Sequence, residues 1–425
     1  MRFYSTRDKS RKLFTLAEAA FAGLAPDGGL FVPEHIPQAD MSRVRQLADI
    51  SYADMSAYLA ALIFDDVPQA TIDDAVRKAY DFDINFHWFD GRKAALELFH
   101  GPTFAFKDFG ARFMGQMTGR LNTTDGLTIL TATSGDTGSA VAGGFYNVPG
   151  VDVVILYPDG KVSPLQQAQM TTLGGNIHPL KVRGNFDDCQ RLVKAMFNDA
   201  DLRSRKRITS ANSINLLRWI PQSFYYFYAY CLWAEGHSQA PDVVVPSGNY
   251  GNITAGMLAA RMGMPVRRFV AASNANDVVP EFLVTGDYRP RASVRTLANA
   301  MDVGAPSNFE RMMWLYGDVD NLRREVVGFS ATDAEILAAI REIEEKYGYI
   351  SDPHSAVGYL AARHYDIDGY WLSTASAAKF GEVIEQATGH WPDIPEALQK
   401  RMDAPCVYTM MDASDADLKD YLLSL

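Results

Sequence analysis

Lys107 stands in the stretch His100–Met114 (HGPTFAFKDFGARFM), flanked by Phe104, Phe106 and Phe109 and by few charges. Aromatic and small neighbours strip water from an ammonium, which lowers its pKa and favours the free amine that forms a Schiff base. Asp108 argues the other way, because a lysine beside an aspartate is also an ordinary helix-surface pattern, with the stem lying on apolar neighbours. Two Gly-rich turns could hold anions. Ser247–Asn252 (SGNYGN) leaves the apolar run Asp242–Pro246 and enters the helix-like ITAGMLAARMG. Gly248 and Gly251 let this backbone bend so that several amides point at one phosphate, with the helix dipole adding to the attraction. Thr133–Ser139 (TSGDTGS) follows LTILTA in the same way. Its hydroxyls and amides suit a carboxylate, and Asp136 suits a polar ligand atom. Taken singly, each turn reads equally well as a capped strand-to-helix connection.

Two further segments concentrate polar groups. Asn212–Arg218 (NSINLLR) sets Ser213 and Arg218 within reach of one anion if a loop precedes the helix, although Asn and Ser there equally suit capping a helix through NLLRWIPQSFYYFYAY. Ser351–Gly358 (SDPHSAVG) offers His354 after a proline turn, a residue as readily structural as functional. The histidines show no H-E-x-x-H or other tight spacing, so no catalytic metal is expected. Neither G-x-x-x-x-G-K-[ST] nor G-x-G-x-x-G is present, so nucleotide binding gains no support.

These turns need strands and helices to aim them. From Leu127 onward, short β-branched runs alternate with amphipathic segments: strands Leu127–Ala132, Val151–Tyr157 and Ile177–Val182, with helices near 137–147, 164–173 and 187–198. That alternation predicts a parallel sheet covered on both faces. A second series begins near Asp242, with strands at 243–246, 266–272 and 370–373 and helices at 253–262 and 377–388. The expected architecture is α/β: a mainly helical N-terminal part (1–95), a smaller α/β domain (96–205) and a larger one (206–425) carrying the phosphate turn. Two open twisted sheets then enclose a cleft at the carboxyl ends of their strands, where such sheets bind ligands.

Composition narrows the class. At 425 residues the chain exceeds one ordinary domain, and its 48% apolar and 21% charged residues are globular values. A net charge of -11 disfavours nucleic acid or an anionic membrane as partner. Three scattered cysteines make a poor disulfide framework and suit a reduced, cytoplasmic compartment. No export signal or membrane span is read.

In this order the segments APDGGLFVPEHIP, LELFHGPTFAFKDFGARFM, TATSGDTGSAVA, NSINLLRWIPQSFYYFYAY, VPSGNYGNITAG, SDPHSAVGY and STASAAKF resemble the threonine synthases of the longer bacterial and fungal type. These are pyridoxal-phosphate enzymes of the tryptophan-synthase β-subunit fold, fold type II. The resemblance implies pyridoxal 5'-phosphate as cofactor, Lys107 as the Schiff-base lysine, and Gly248, Asn249, Tyr250, Gly251 and Asn252 around the cofactor phosphate. It implies Thr374 beside the pyridine nitrogen, Asp136 at the cofactor hydroxyl, and Ser134, Gly135 and Thr137 at the substrate carboxylate. Ser213 and Arg218 resemble parts of a substrate-phosphate site. The implied reaction is O-phospho-L-homoserine plus water giving L-threonine and phosphate, by a monomer or homodimer. A phospholyase releasing 2-oxobutyrate, or a scaffold without activity, would share much of the pattern. One departure stands out: the family usually carries T-A-H-P-A-K-F, whereas here Thr374 and Ala375 are followed by Ser376 and Ala377.

Overall fold

A computed structural model of the chain describes residues 1–122, 126–133 and 135–425. The smaller sheet runs in the order Thr409–Asp412, Ile177–Arg183, Val151–Pro158, Leu127–Ala132, Arg207–Thr209, parallel throughout. The larger runs Val326–Ser330, Arg268–Ser273, Asp242–Pro246, Gly369–Ser373, Lys93–Glu97, Asn85–Trp88, and only its last pair is antiparallel. Helices cover both faces of these strands. Leu127–Ala132, Asp242–Pro246 and Gly369–Ser373 are therefore buried at every position and read as continuous apolar runs rather than alternating ones. Reciprocal caps, Ser163 with Gln166 and Asn185 with Asp188, start the helices Pro164–Thr171 and Phe186–Asn198.

Sheet membership divides the chain differently from the boundaries expected at 95/96 and 205/206. Strand Lys93–Glu97 straddles the first boundary and belongs to the larger sheet. Arg207–Thr209 and Thr409–Asp412 both join the smaller sheet, although they lie beyond residue 205. The reason is hydrogen bonding across long sequence separations, which leaves no local trace in three- or four-residue strands. The expected helix through NLLRWIPQSFYYFYAY is likewise interrupted: Leu216–Trp219 is α-helical, Ile220–Ser223 tightens into a 3-10 turn at Pro221, and Phe224–Ala234 resumes the α-helix.

Residues 1–95 hold the helices Leu16–Ala22, Met41–Ala48, Tyr52–Ile63 and Gln69–Ala79 and the antiparallel pair Phe3–Ser5 and Phe31–Pro33. Arg311, fully buried, ties this part to the rest. Its guanidinium donates to the carbonyls of Phe31 (3.1 Å), Ser213 (3.0 Å) and Ile214 (2.7 Å) and lies 4.2 Å from the Trp219 ring centroid. Burial lowers its pKa to about 9, so it remains a cation near neutrality with carbonyls and a π face as its surroundings.

Two features position the site. In the larger sheet the neighbouring strands Asp242–Pro246, Gly369–Ser373 and Lys93–Glu97 run parallel, and their carboxyl ends lead into Ser247–Asn252, Thr374 and the loop to Lys107. Between the sheets, the helices Lys107–Leu121 and Asp136–Phe145 meet backbone to backbone. A Cβ on Gly115 would lie 2.0 Å from the Gly144 carbonyl oxygen, and one on Gly144 would lie 2.7 Å from the Ala111 carbonyl. Only hydrogen fits at either position, and the close crossing carries the first residues of both helices toward each other. Gly115→Ala is expected to lower unfolding stability by about 1–3 kcal/mol through overpacking. Urea denaturation measures it; an unchanged midpoint would mean that the helices do not touch there.

Candidate active site

Lys107 and Asp136 are the first residues of their helices, and Lys107 Nζ lies 3.9 Å from Asp136 Oδ2. The lysine side chain keeps 17% of its surface and packs with Nζ 5.0 Å from the Phe106 ring centroid. Burial holds its pKa below the usual lysine value, with Lys379 and Arg218 adding to the depression and Asp136 and Asp352 opposing it. The positive end of its own helix acts in the same direction. Asp136 is almost fully enclosed: Oδ1 accepts from Lys379 Nζ (2.8 Å) and from Gln166 Nε2 (3.0 Å). Burial alone would raise its pKa, but Lys379, Lys107 and the hydrogen bonds outweigh it and hold the carboxyl well below the ordinary range. Its contribution to stability is therefore complete at neutral pH and is lost only under strong acid.

Asp108, the sequence neighbour that suggested a surface lysine, turns away from Lys107. It is buried, and its carboxylate accepts from the Thr103 amide (2.8 Å) and hydroxyl (2.7 Å), closing the Gly101–Thr103 turn. The next residues pair with the strand end on the other side. Phe106 N donates to Thr374 O (2.8 Å), Ser376 N donates to Phe104 O (3.1 Å), and Ala105 and Ala375 form an antiparallel bridge. Lys107 and Thr374 are thus held by one short main-chain ladder.

In the Thr133–Ser139 turn, Thr133 Oγ1 accepts from the amides of Gly135 and Gly138, both at 2.9 Å. Gly135 adopts φ +147°, and a Cβ there would sit 2.4 Å from the Gln166 amide. The Thr137 hydroxyl has no partner among the described residues. Ser134, a candidate for the carboxylate site, lies outside the described residues.

The Ser247–Asn252 turn is braced by its own side chains. Asn252 donates to Pro246 O (2.8 Å) and accepts from Ser247 Oγ (2.7 Å), while Asn249 donates to Ser213 Oγ (2.6 Å) and accepts from Ser307 N (2.6 Å). Tyr250 is in the left-handed region at φ 60°. Among the described residues, none of the amides of Gly248, Asn249, Tyr250, Gly251 and Asn252 meets a protein acceptor, and they open the helix Gly251–Arg261. This is the donor set of an anion site. With a desolvated amine at Lys107 and a neutral hydroxyl at Thr374, these residues fit pyridoxal phosphate.

Ser213 and Arg218 make different attachments. Ser213 lies on Asn249 of the Ser247–Asn252 turn, whereas Arg218 donates Nη1 to Ala211 O (2.7 Å) across Gly110. Asn215, rather than Asn212 or Ser213, caps the helix Leu216–Trp219. Arg218 is 4% exposed, its pKa is lowered by burial to about 10, and its Nε has no partner. A guanidinium so enclosed, without a carboxylate bound to it, suits an anionic ligand.

His354 is structural in its bonding. Its Nε2 accepts from Ala300 N (3.1 Å), so the proton sits on Nδ1, which donates to Asp352 (2.8 Å). Asp352 also accepts from Ser355 Oγ, which itself accepts from Thr374 N (2.9 Å). The sequence reading missed Lys379, Gln166, Thr103, Asp352 and Ser355 as members of the site. Only Lys379 carried a signal, as the one charge in Thr374–Phe380.

The chain matches the family model described as "Pyridoxal-phosphate dependent enzyme" over residues 94–370. Residues 2–80 match "Threonine synthase N terminus" and 355–422 match "Threonine synthase, C-terminal". It is 42% identical to the threonine synthase of Escherichia coli and 41% identical to that of Serratia marcescens, each match covering 100% of both chains. The crystal structure of pyridoxal-phosphate-bound threonine synthase from Brucella melitensis superposes with a TM-score of 0.94 at 34% identity, covering 100% of this chain and 99% of that one.

Gly135→Ala is expected to break the Gln166 contact with Asp136 and to lower stability by about 1–3 kcal/mol, because neither the dihedral nor the space accepts a methyl group. Urea unfolding checks the loss. A midpoint equal to that of the parent would mean that the turn has another conformation.

Proposed function

The chain belongs to the threonine synthase family of pyridoxal-phosphate-dependent enzymes, and on that premise we propose that it converts O-phospho-L-homoserine and water to L-threonine and phosphate. The observation that carries the reading is the Lys107 amine, desolvated and 3.9 Å from a buried carboxylate where two helix N-termini meet. When bound, pyridoxal phosphate supplies an aldehyde for an amine and an electron sink for negative charge at Cα and Cβ of an amino acid.

The chain's own residues then divide the work. The amides of Gly248, Asn249, Tyr250, Gly251 and Asn252 hold the cofactor phosphate, and Thr374 offers the pyridine nitrogen a neutral hydroxyl. Asp136 orients the cofactor hydroxyl and steadies Lys107. The lowered pKa of Lys107 favours the free amine, which can take a proton from the substrate Cα and return it to a neighbouring carbon. Gly135 and Thr137 bind the substrate carboxylate, together with Ser134. Arg218 meets the departing phosphate with a charge that cannot be deprotonated under working conditions. Ser213 braces the phosphate turn through Asn249. An acidic chain with unpaired cysteines fits a cytoplasmic enzyme working on a small molecule.

Incubation of the holoenzyme with O-phospho-L-homoserine should release phosphate and threonine in equal amounts; phosphate matched by 2-oxobutyrate would instead identify a phospholyase. Lys107→Ala should lower kcat by about 10²–10⁴ or more and abolish borohydride-fixed cofactor in the mass spectrum. Arg218→Met should lower kcat/KM roughly 10- to 100-fold by removing a charged hydrogen bond. Full activity in either variant would remove that residue from the reaction.

A further inference from the structure

Lys379 has no solvent-accessible side-chain surface, and its ammonium donates to Asp136 Oδ1 and to the Thr103 carbonyl, each at 2.8 Å. An ammonium without access to solvent cannot meet a substrate, so its effect must pass through what it touches. Asp136 divides its two oxygens. Oδ1 is taken by Lys379 and, at 3.0 Å, by Gln166, while Oδ2 is turned toward Lys107 at 3.9 Å. Thr103 is itself fastened to Asp108 through amide and hydroxyl, so the Lys379 ammonium links Asp136 to the segment that presents Lys107.

We propose that Lys379 is a positioning residue for the reaction: by holding Oδ1 it aims Oδ2 of Asp136 at Lys107, and by sharing the carboxylate charge it keeps Lys107 from being locked into a tight ion pair. The proposal rests on Lys107 being the reactive amine. Four charged groups on separate elements act on that amine: Asp136 and Asp352 favour its protonated form, and Lys379 and Arg218 oppose it. Removing Lys379 leaves Asp136 with Lys107 as its only ion-pair partner among the described residues, so the amine must hold its proton to a higher pH.

The placement also accounts for the altered segment. Lys379 lies in the 3-10 turn Ala377–Phe380, capped by Ser376 Oγ at 3.3 Å from Ala378 N. The preceding residues hold the Lys107 loop through main-chain bonds at Phe104 and Phe106. Neither attachment uses a histidine or a proline, so the segment presents Thr374 and Lys379 without that pair.

The test measures the pH dependence of Lys107 acylation by acetic anhydride in the apoprotein, read by peptide mass spectrometry, together with the acid limb of kcat in the holoenzyme, where bound substrate has displaced the Lys107 amine. Lys379→Gln keeps a donor but removes the charge, and both midpoints should rise by about one pH unit or more. The double variant Lys379→Gln/Asp136→Asn should bring the acylation midpoint back toward the parent value, and Lys379→Arg should rescue most of the shift. Reduced turnover with both midpoints unmoved would show that Lys379 only packs, and would overturn the proposal. Should the glutamine variant not fold, Asp136→Asn carries the test: the acylation midpoint should fall, because the Lys379 charge then acts on Lys107 unopposed, and an unmoved midpoint overturns it. Turnover retained by Lys107→Ala would reject the reading of Lys107 as the reactive amine, while acylation of the apoprotein reports the link between Lys379, Asp136 and Lys107 independently.

Discussion

Burying an isolated carboxylate costs several kcal/mol, and burying an isolated ammonium costs as much. In this chain Asp136, Lys379 and Lys107 are enclosed together, and each makes the burial of the others tolerable. The rest of the structure is arranged around that cluster. Asp136 is supplied by the smaller sheet through Thr133–Ser139, Lys379 by the larger through Gly369–Ser373, and Lys107 by the loop after Lys93–Glu97. The two sheets are therefore joined at their carboxyl ends by charges that have no better partner in water-poor surroundings. The arrangement leaves Lys107 with the looser contact and Lys379 with the tighter one, which is the asymmetry an exchangeable amine needs.

Close packing makes the cluster geometrically attainable. Helices that carried side chains at Gly115 and Gly144 would stand apart, and Lys107 and Asp136, at their first turns, would separate with them. Gly110 does the same for Arg218, whose carbonyl would lie 2.5 Å from a Cβ there. Arg218 is the mirror of the Asp136 cluster, a buried charge with no carboxylate bound to it. Its nearest long-range compensation is Asp108, which only partly offsets burial. A buried cation with no carboxylate bound to it keeps the capacity to take an anionic ligand. The same reasoning applies to the amides of Gly248–Asn252, which end without acceptors at a helix N-terminus.

The segment Thr374–Phe380 departs in two side chains from the pattern expected of the family, and its attachments run through main-chain atoms and through Lys379. Ser376 caps the short turn that follows. Sequence comparison alone weighs such a change by the residues lost. The contacts show that they are not the ones holding Lys107 and Thr374 together.

Much of this was legible in the residues themselves. Strands Leu127–Ala132 and Val151–Pro158 announce themselves because a parallel strand covered on both faces is largely apolar, and Ile177–Arg183 does so through its inward positions Ile177, Leu180 and Val182. The two Gly-rich turns and the aromatic setting of Lys107 are local as well: backbone freedom, helix dipole and desolvation all act within a few residues. The family was readable for the same reason, since its motifs are contiguous. What the sequence could not determine were relations between distant residues. It could not say that Asp108 turns to Thr103 while Asp136 takes its place beside Lys107, that Ser213 leans on Asn249 while Arg218 lies across Gly110, or that Arg207–Thr209 and Thr409–Asp412 complete the smaller sheet. Those choices follow from which buried groups find partners once the helices and sheets have closed, and the free energy that decides them exists only in the folded chain.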